Sequence, residues 1–355
     1  MKRKIIFISI LLVIAGCQDK ETDKIDDFFV GVIETTQTKE KSSITFYDFS
    51  LNVINIKDYK YADLSSDWSD PVYLDEGILM IPLGVAKKAD AKKVVSLDVK
   101  NQEFTEFPID RVNIVCATAN DKFVYAGSNL NMSAYITQLN KESEEVKEVE
   151  LKENGALVSL LVSYKDHLYA FYDYSNDEGI NFSGIHIYNE NLDLLNTIDL
   201  SDFGIGFGKA LIYKDKLYIP NEYDSEDNAD NRMLILDLVT NDIKSVDFPY
   251  FYPNDVVEYH NSIIISHSSK VSPNGSMISV YDVKTEKKLS YDLGVIIRKM
   301  DLVENKLVIL TADDRLVTYD LDDNFKKSNE VRLEYQSDNQ TFKSNIFVNH
   351  QRDKK

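Results

Sequence analysis

Apolar residues in this chain gather in short runs separated by polar turns. The segments DEGILMIP (75–82), NDKFVYAG (120–127), YKDHLYAF (164–171), KDKLYIPN (214–221), HNSIIISH (260–267) and ENKLVILT (304–311) share one form. Each is a polar turn followed by a β-branched or aromatic run, which predicts the second strand of a hairpin. A second set follows after a variable gap: ITFYDFS (44–50), VVSLDVK (94–100), AYITQLN (134–140), IHIYNEN (185–191), LILDLVT (234–240), ISVYDVK (278–284) and LVTYDLD (316–322). Aligned on Asp48, Asp98, Gln138, Asn189, Asp237, Asp282 and Asp320, this set recurs about every 45 residues. Asp or Asn prevails there because its side chain ends a strand and accepts from the backbone N–H groups of the turn that follows.

A repeat of this length with four short strands predicts a β-propeller blade. Seven copies predict an all-β, seven-bladed propeller. The first copy supplies FFVGVIET, ITFYDFS and NVINIKD, its second, third and fourth strands, and no first strand precedes them. The tail supplies a spare, SNIFVNHQ (344–351). We therefore expect the C-terminal strand to close the first blade as its innermost strand, which removes an open sheet edge. The glycine-rich GIGFGKA (204–210) is read as a crossing between blades. ESEEVKEVELKE (142–153) is read as a turn and an outer strand packing through Val146, Val149 and Leu151, and GVAKKADAKK (84–93) as a short helix in a loop. KLYIPN followed by MLILDLVTNDIKSVDF (233–248) resembles YVTN-type propellers, with their tyrosine strand and Asp-x-x-Thr turn. That resemblance spans most of residues 28–349 and implies a fold, not an activity. Trp68 is the chain's single tryptophan, which argues against a quinone-dependent propeller enzyme.

The first residues follow a different rule. Lys2, Arg3 and Lys4 precede an apolar run from Ile5 to Ile14 and then small residues, the layout of a secretory signal. A run this short reaches about 15 Å as a helix, half of what a membrane core requires. Ile14-Ala15-Gly16-Cys17 resembles the bacterial lipobox, which implies cleavage before Cys17 and lipidation of its thiol. The expected layout is a signal peptide over 1–16, a lipidated Cys17 and polar tether over 17–27, the propeller over 28–349 and a polar tail over 350–355. The expected location is the extracytoplasmic face of the cell membrane. Cys116 is then the mature chain's only cysteine, so stability has to come from a core, not from an internal disulfide. Loss of the three signal cations takes the formal charge from −19 to −22. Such a chain is ill suited to nucleic acid.

Motifs for chemistry are sparse. The five histidines lack the spacing of a helical zinc site, and Gly-x-Ser-x-Gly and P-loop patterns are missing. The acidic loops DYSNDEG (173–179), EYDSEDNADN (222–231) and DLDDNF (320–325) are oxygen-rich enough to consider calcium, yet none has EF-hand spacing. They are read as solvated loops, and no other cofactor is expected. Propeller geometry offers one further clue: loops from strand four to strand one, and from strand two to strand three, share one face around the channel. These loops nominate Trp68, Arg111, Tyr172, Lys209, Glu222, Tyr223, Tyr252, Asn254, Asp255, Arg298 and Lys343 as a mouth, with His267 at the end of a second strand. Arg, Lys and aromatic residues there suit a partner bearing carboxylates or a sugar. The leading expectation is a monomeric, lipid-anchored binding or scaffold protein of the cell envelope, with a protein, peptide or glycan partner. The alternative is a propeller hydrolase or lyase with a channel-mouth site, with or without a divalent metal.

Overall fold

The computed structural model describes residues 28–66, 69–75, 77–83, 92–336 and 340–350. Among these the chain forms 28 strands and no helix. The first blade takes β1 (Val30–Thr35), β2 (Ser42–Tyr47) and β3 (Val53–Tyr59). The second holds β4 (Val72–Tyr73), β5 (Gly77–Met80), β6 (Lys93–Asp98) and β7 (Phe104–Pro108). The third holds β8 (Ile114–Ala119), β9 (Phe123–Leu130), β10 (Ser133–Asn140) and β11 (Val146–Glu150). The fourth holds β12 (Leu157–Tyr164), β13 (His167–Ser175), β14 (Asn181–Asn189) and β15 (Leu194–Asp199). The fifth holds β16 (Leu211–Tyr213), β17 (Lys216–Tyr223), β18 (Ala229–Asp237) and β19 (Ile243–Asp247). The sixth holds β20 (Pro253–Tyr259), β21 (Ser262–His267), β22 (Met277–Asp282) and β23 (Lys288–Asp292). The seventh holds β24 (Ile297–Val303), β25 (Lys306–Thr311), β26 (Arg315–Asp320) and β27 (Lys326–Arg332). Finally β28 (Phe342–Val348) returns to pair with β1, so the first sheet runs β28-β1-β2-β3. The result is the expected seven-bladed propeller, closed by its C-terminal strand.

Burial explains the pattern of runs. Strands inside a blade are covered on both faces by neighbouring blades, so they read as continuous apolar stretches. Every residue of β1 and β2 is buried, whereas the outermost β15 and β27 are largely exposed. The core is thus divided into layers between blades. Between the seventh and first, Val303, Val308, Leu310 and Leu316 pack on Val30, Val32, Ile346 and Val348. At the seam, β28 pairs with β1 from Val30↔Val348 to Thr35↔Phe342. A Cβ at Gly31 would lie 2.2 Å from Phe347 Cζ, so only glycine lets the closing phenylalanine seat.

The marked Asp and Asn positions act as expected at the turns. Asp48 Oδ1 accepts from the amides of Ser50 and Asn52, each at 2.8 Å, and Asp98, Asn189, Asp237, Asp282 and Asp320 make equivalent bonds. Blade three differs. Asn140, not Gln138, caps its turn, accepting from Glu142 and Ser143 at 2.9 Å each. Gln138 is buried and donates to the Glu190 carbonyl at 2.9 Å, tying blade three to blade four. The acidic stretch after it does form an outer strand, β11. Leu151 is buried and Val149 packs on the core, but Val146 is 49% exposed, because the strand's period of two puts it on the sheet face opposite to Val149 and Leu151. The helix expected within 84–93 falls mostly on residues outside those described.

Candidate functional site at the channel mouth

The seven innermost strands enclose a channel of about 720 Å³, within the range of small-molecule pockets. Each of these strands starts at one face, the mouth, and ends at the other. Residues at the strand starts therefore meet across the channel although they are distant in sequence. Five blades meet there through one network of charges. Lys209 Nζ, ahead of β16, donates to Asp255 Oδ1 of β20 at 2.6 Å and lies 3.4 Å from Asp70 Oδ2, ahead of β4. Lys299 of β24 sits 2.5 Å from Asp70 Oδ1. Asn345 of β28 donates to the same oxygen at 3.1 Å. The Met300 amide donates to Asp255 Oδ2 at 2.8 Å. Lys209 keeps 25% of its side chain open to the channel and Asp70 keeps 17%, whereas Lys299 and Asp255 keep 5% and 2%.

Electrostatics follow from this packing. Burial pushes the Asp70 carboxyl up, but Lys209, Lys299 and Lys270 outweigh it and hold it well below the usual range. Burial pulls Lys209 down, and Asp255 and Asp70 more than reverse that. Asp70 and Lys209 stay charged across the physiological range. Two nearby carboxyls behave differently. Burial pushes Asp173 up to about 6 against the Gly206 amide that it accepts at 3.0 Å. Burial likewise pushes Glu222 up to about 7, and its Oε2 accepts from the Lys270 amide at 3.0 Å. Deeper in the channel, Tyr73 donates to Asp301 and accepts from the Val348 amide at 2.8 Å.

Glu222 carries a testable consequence. Its folded carboxyl is raised above the ordinary value of 4.5 to about 7, so the folded state holds the proton between those values and stability falls as pH rises through them. Glu222→Gln keeps an acceptor for the Lys270 amide and removes the ionisation. It should stabilise the protein by about 1–3 kcal/mol at pH 8 and by close to nothing at pH 5. Urea denaturation at both pH values measures this, and an equal effect at both refutes it.

Of the residues nominated from sequence, Lys209, Glu222 and Asp255 come together in and beside the network. Asn254 donates to the Ser268 carbonyl at 3.2 Å on its edge, and the Tyr223 and Tyr252 rings meet at 5.9 Å on the rim. The others sit elsewhere. Arg111 pairs with Glu148 of outer strand β11 and covers the Tyr135 ring at 4.0 Å, at the periphery of blade three. Tyr172 stacks on His186 at 4.3 Å inside the layer between blades three and four. His267 is buried against Phe248 and Tyr250, with Nε2 2.8 Å from Ser279 Oγ, and burial pushes it down to about 4. Lys343 is sealed against Glu34 within the first blade. Arg298 turns toward Asp314 at 3.8 Å. Trp68 lies outside the described residues.

Asp70, Lys299, Lys270 and Asn345 were missed, for a local reason. Loop position nominated Trp68 and Arg298, whereas the network takes Asp70, two residues further on, and Lys299, the next residue. In β24 the strand's period of two, combined with the bulge between Ile297 and Lys299, decides which of Arg298 and Lys299 faces the channel. The acidic loops spend carboxylates on their own chain: Asp224 Oδ1 accepts from the Glu226 and Asn228 amides, and Asp230 pairs with Arg232. Among the described residues, no group of three His, Cys, Asp or Glu is disposed to hold a metal ion. Cys116 is buried and its thiol pushed up to about 12, the state of an inert packing residue.

No protein-family model matches the chain, and no curated protein matches it by sequence. Solved structures do match by shape. The dihydro-heme d1 dehydrogenase NirN in complex with DHE aligns with a TM-score of 0.55 at 11% identity, over 92% of this chain and 76% of that one. The computationally designed Ika8 protein aligns with a TM-score of 0.52 at 10% identity, over 90% and 95%. BamB from Moraxella catarrhalis aligns with a TM-score of 0.50 at 10% identity, over 89% of each chain. At such identities the likeness carries the propeller fold and leaves function to this chain's own residues.

Proposed function

We propose that the protein is a lipid-anchored extracytoplasmic binding or scaffold protein whose mouth face holds a protein partner. One observation carries this reading: the exposed large apolar side chains that stand on loops are concentrated on the mouth face. Among the described residues, Met132, Ile180, Phe251, Val271, Ile296 and Tyr335 stand on mouth loops, against Phe49 and Val239 on the loops of the opposite face, while the other exposed apolar side chains lie within strands, mostly outermost ones such as β3, β15 and β23. Apolar side chains gathered on the loops of one face suit an interaction site. The chain's ends support the orientation. Phe28 accepts from Asn349 Nδ2 at 3.1 Å, and His350 packs on Tyr73 at 4.4 Å, both away from the mouth. A tether from Cys17 would enter on the far side and turn the mouth away from the membrane, within a reach of roughly 35–40 Å for its eleven residues.

Cys17→Ala is expected to move the protein from the membrane fraction to the soluble fraction and abolish incorporation of a labelled fatty acid. Mild crosslinking in native membranes, with a C-terminally tagged chain, should recover one protein near one-to-one from the anchored form alone. Unchanged membrane partition would refute the anchor. Failure to enrich any protein would refute the scaffold and favour a channel ligand or a reaction.

A further inference from the structure

We propose that the part of the mouth face over blades four and five docks a partner segment in which lysines or arginines are flanked by apolar side chains. This rests on the reading of the mouth face as an interaction surface and names the chemistry it selects. The two loops at the centre, 176–180 and 224–228, lie side by side, joined by Asn181 Nδ2 donating to the Ser225 carbonyl at 3.3 Å. Asp177, Glu178, Glu226 and Asp227 are exposed on them. The nearby Arg232 is committed to Asp230 and to the Phe203 carbonyl at 2.8 Å. Two exposed apolar side chains belong to the same sector: Ile180, 51% exposed, ends the first loop, and Phe251, 57% exposed, precedes Tyr252, whose amide donates to the Asp230 carbonyl just beyond the second loop at 2.8 Å. The Tyr223–Tyr252 pair lies beside Phe251.

Exposed apolar side chains and carboxylates in one sector call for different partners unless one segment supplies both complements. A segment with cations between apolar residues does so, and its charges would steer it onto the face before the apolar groups are buried. Charge rules against the other occupants. A second copy would bring the same carboxylates and a formal charge of −19. An anionic lipid surface would be repelled in the same way.

The test uses the full chain purified in detergent and two synthetic peptides of about twelve residues. One alternates Leu and Phe with Lys and Arg, and the other carries Glu at each cationic position. Fluorescence anisotropy should show binding of the cationic peptide, weakened by salt, and none of the acidic one. Asp177→Asn/Glu178→Gln/Glu226→Gln/Asp227→Asn should weaken binding about tenfold and flatten the salt dependence. Ile180→Ser/Phe251→Ser should weaken it severalfold and leave the salt dependence intact. Glu142→Gln/Glu144→Gln/Glu145→Gln, on a turn of the opposite face, should change nothing and so controls for bulk charge. Equal losses in the control and sector variants, binding of the acidic peptide, or a dimer by light scattering would each overturn the proposal. The membrane fractionation of Cys17→Ala reports separately on the anchor. If the crosslinked partner is still captured by the sector variant, the scaffold reading stands and this inference fails.

Discussion

Removal of residues 341–355 is expected to leave a chain that no longer folds cooperatively and aggregates on purification. The deletion takes away β28, the strand that closes the first blade. Ile346, Phe347 and Val348 are each at most 3% exposed, and burying three such side chains contributes about 5–9 kcal/mol. That approaches the whole net stability of an ordinary protein, about 5–15 kcal/mol. Loss of β28 also leaves the inner edge of β1 unpaired, a template for intermolecular strand pairing. It further removes Asn345 from Asp70 and Lys343 from Glu34. Urea unfolding followed by circular dichroism, with size-exclusion chromatography, measures the outcome. A single sigmoidal transition with the full-length slope would refute closure as the source of stability. Phe347→Ala offers a graded version. It should cost about 3–5 kcal/mol, because Gly31 supplies no side chain to fill the space.

Lys343→Ala is expected to be the most damaging single change to a charged residue. The ammonium lies 2.5 Å from Glu34, with side-chain exposures of 2% and 1%, and also donates to the Glu334 carbonyl at 2.6 Å. Its removal strands a buried carboxylate, at a cost of about 3–5 kcal/mol. Glu34→Gln/Lys343→Met should recover most of that loss, since a buried pair contributes little over an uncharged replacement. The pH dependence distinguishes charge from packing. Burial pushes the Glu34 carboxyl up, but Lys343, the Gln336 amide and Thr341 outweigh it and hold it below its ordinary value of 4.5. A depressed carboxyl stabilises above its unfolded pKa, and that contribution is lost as pH falls below about 4.5. The wild type should therefore lose stability on acidification in that window more steeply than the double variant. Denaturation midpoints at pH 7 and pH 4 test this, and parallel losses would show that Lys343 acts through packing alone.

The blades were legible because their signals are local. A polar turn, an apolar run and an Asp that accepts from the next amides all lie within one hairpin, so the backbone obeys them without help from distant residues. Blade three shows the limit. Gln138 and Asn140 lie on the same face of β10, and only the tie from Gln138 to Glu190 in the next blade shows which of them ends the strand. The mouth was legible as a set of loops but only partly as a set of side chains. Lys209 and Asp255 could be nominated from loop position. Choosing Lys299 over Arg298 required the bulge in β24, which the residue types do not encode visibly.

By itself, the sequence determined the repeat, the count of blades and the use of the tail as the missing strand. It also determined an acidic chain without a local catalytic motif. These follow from short-range periodicity and turn chemistry. The tertiary structure alone decided which charges meet. Asp70, Lys209, Asp255, Lys299 and Asn345 come from five blades, and their pairing depends on strand register and ring closure. The same holds for the side whose loops expose apolar residues. Each of them is unremarkable in its own loop, and they form a face only because alternate strand ends of every blade point the same way around the channel.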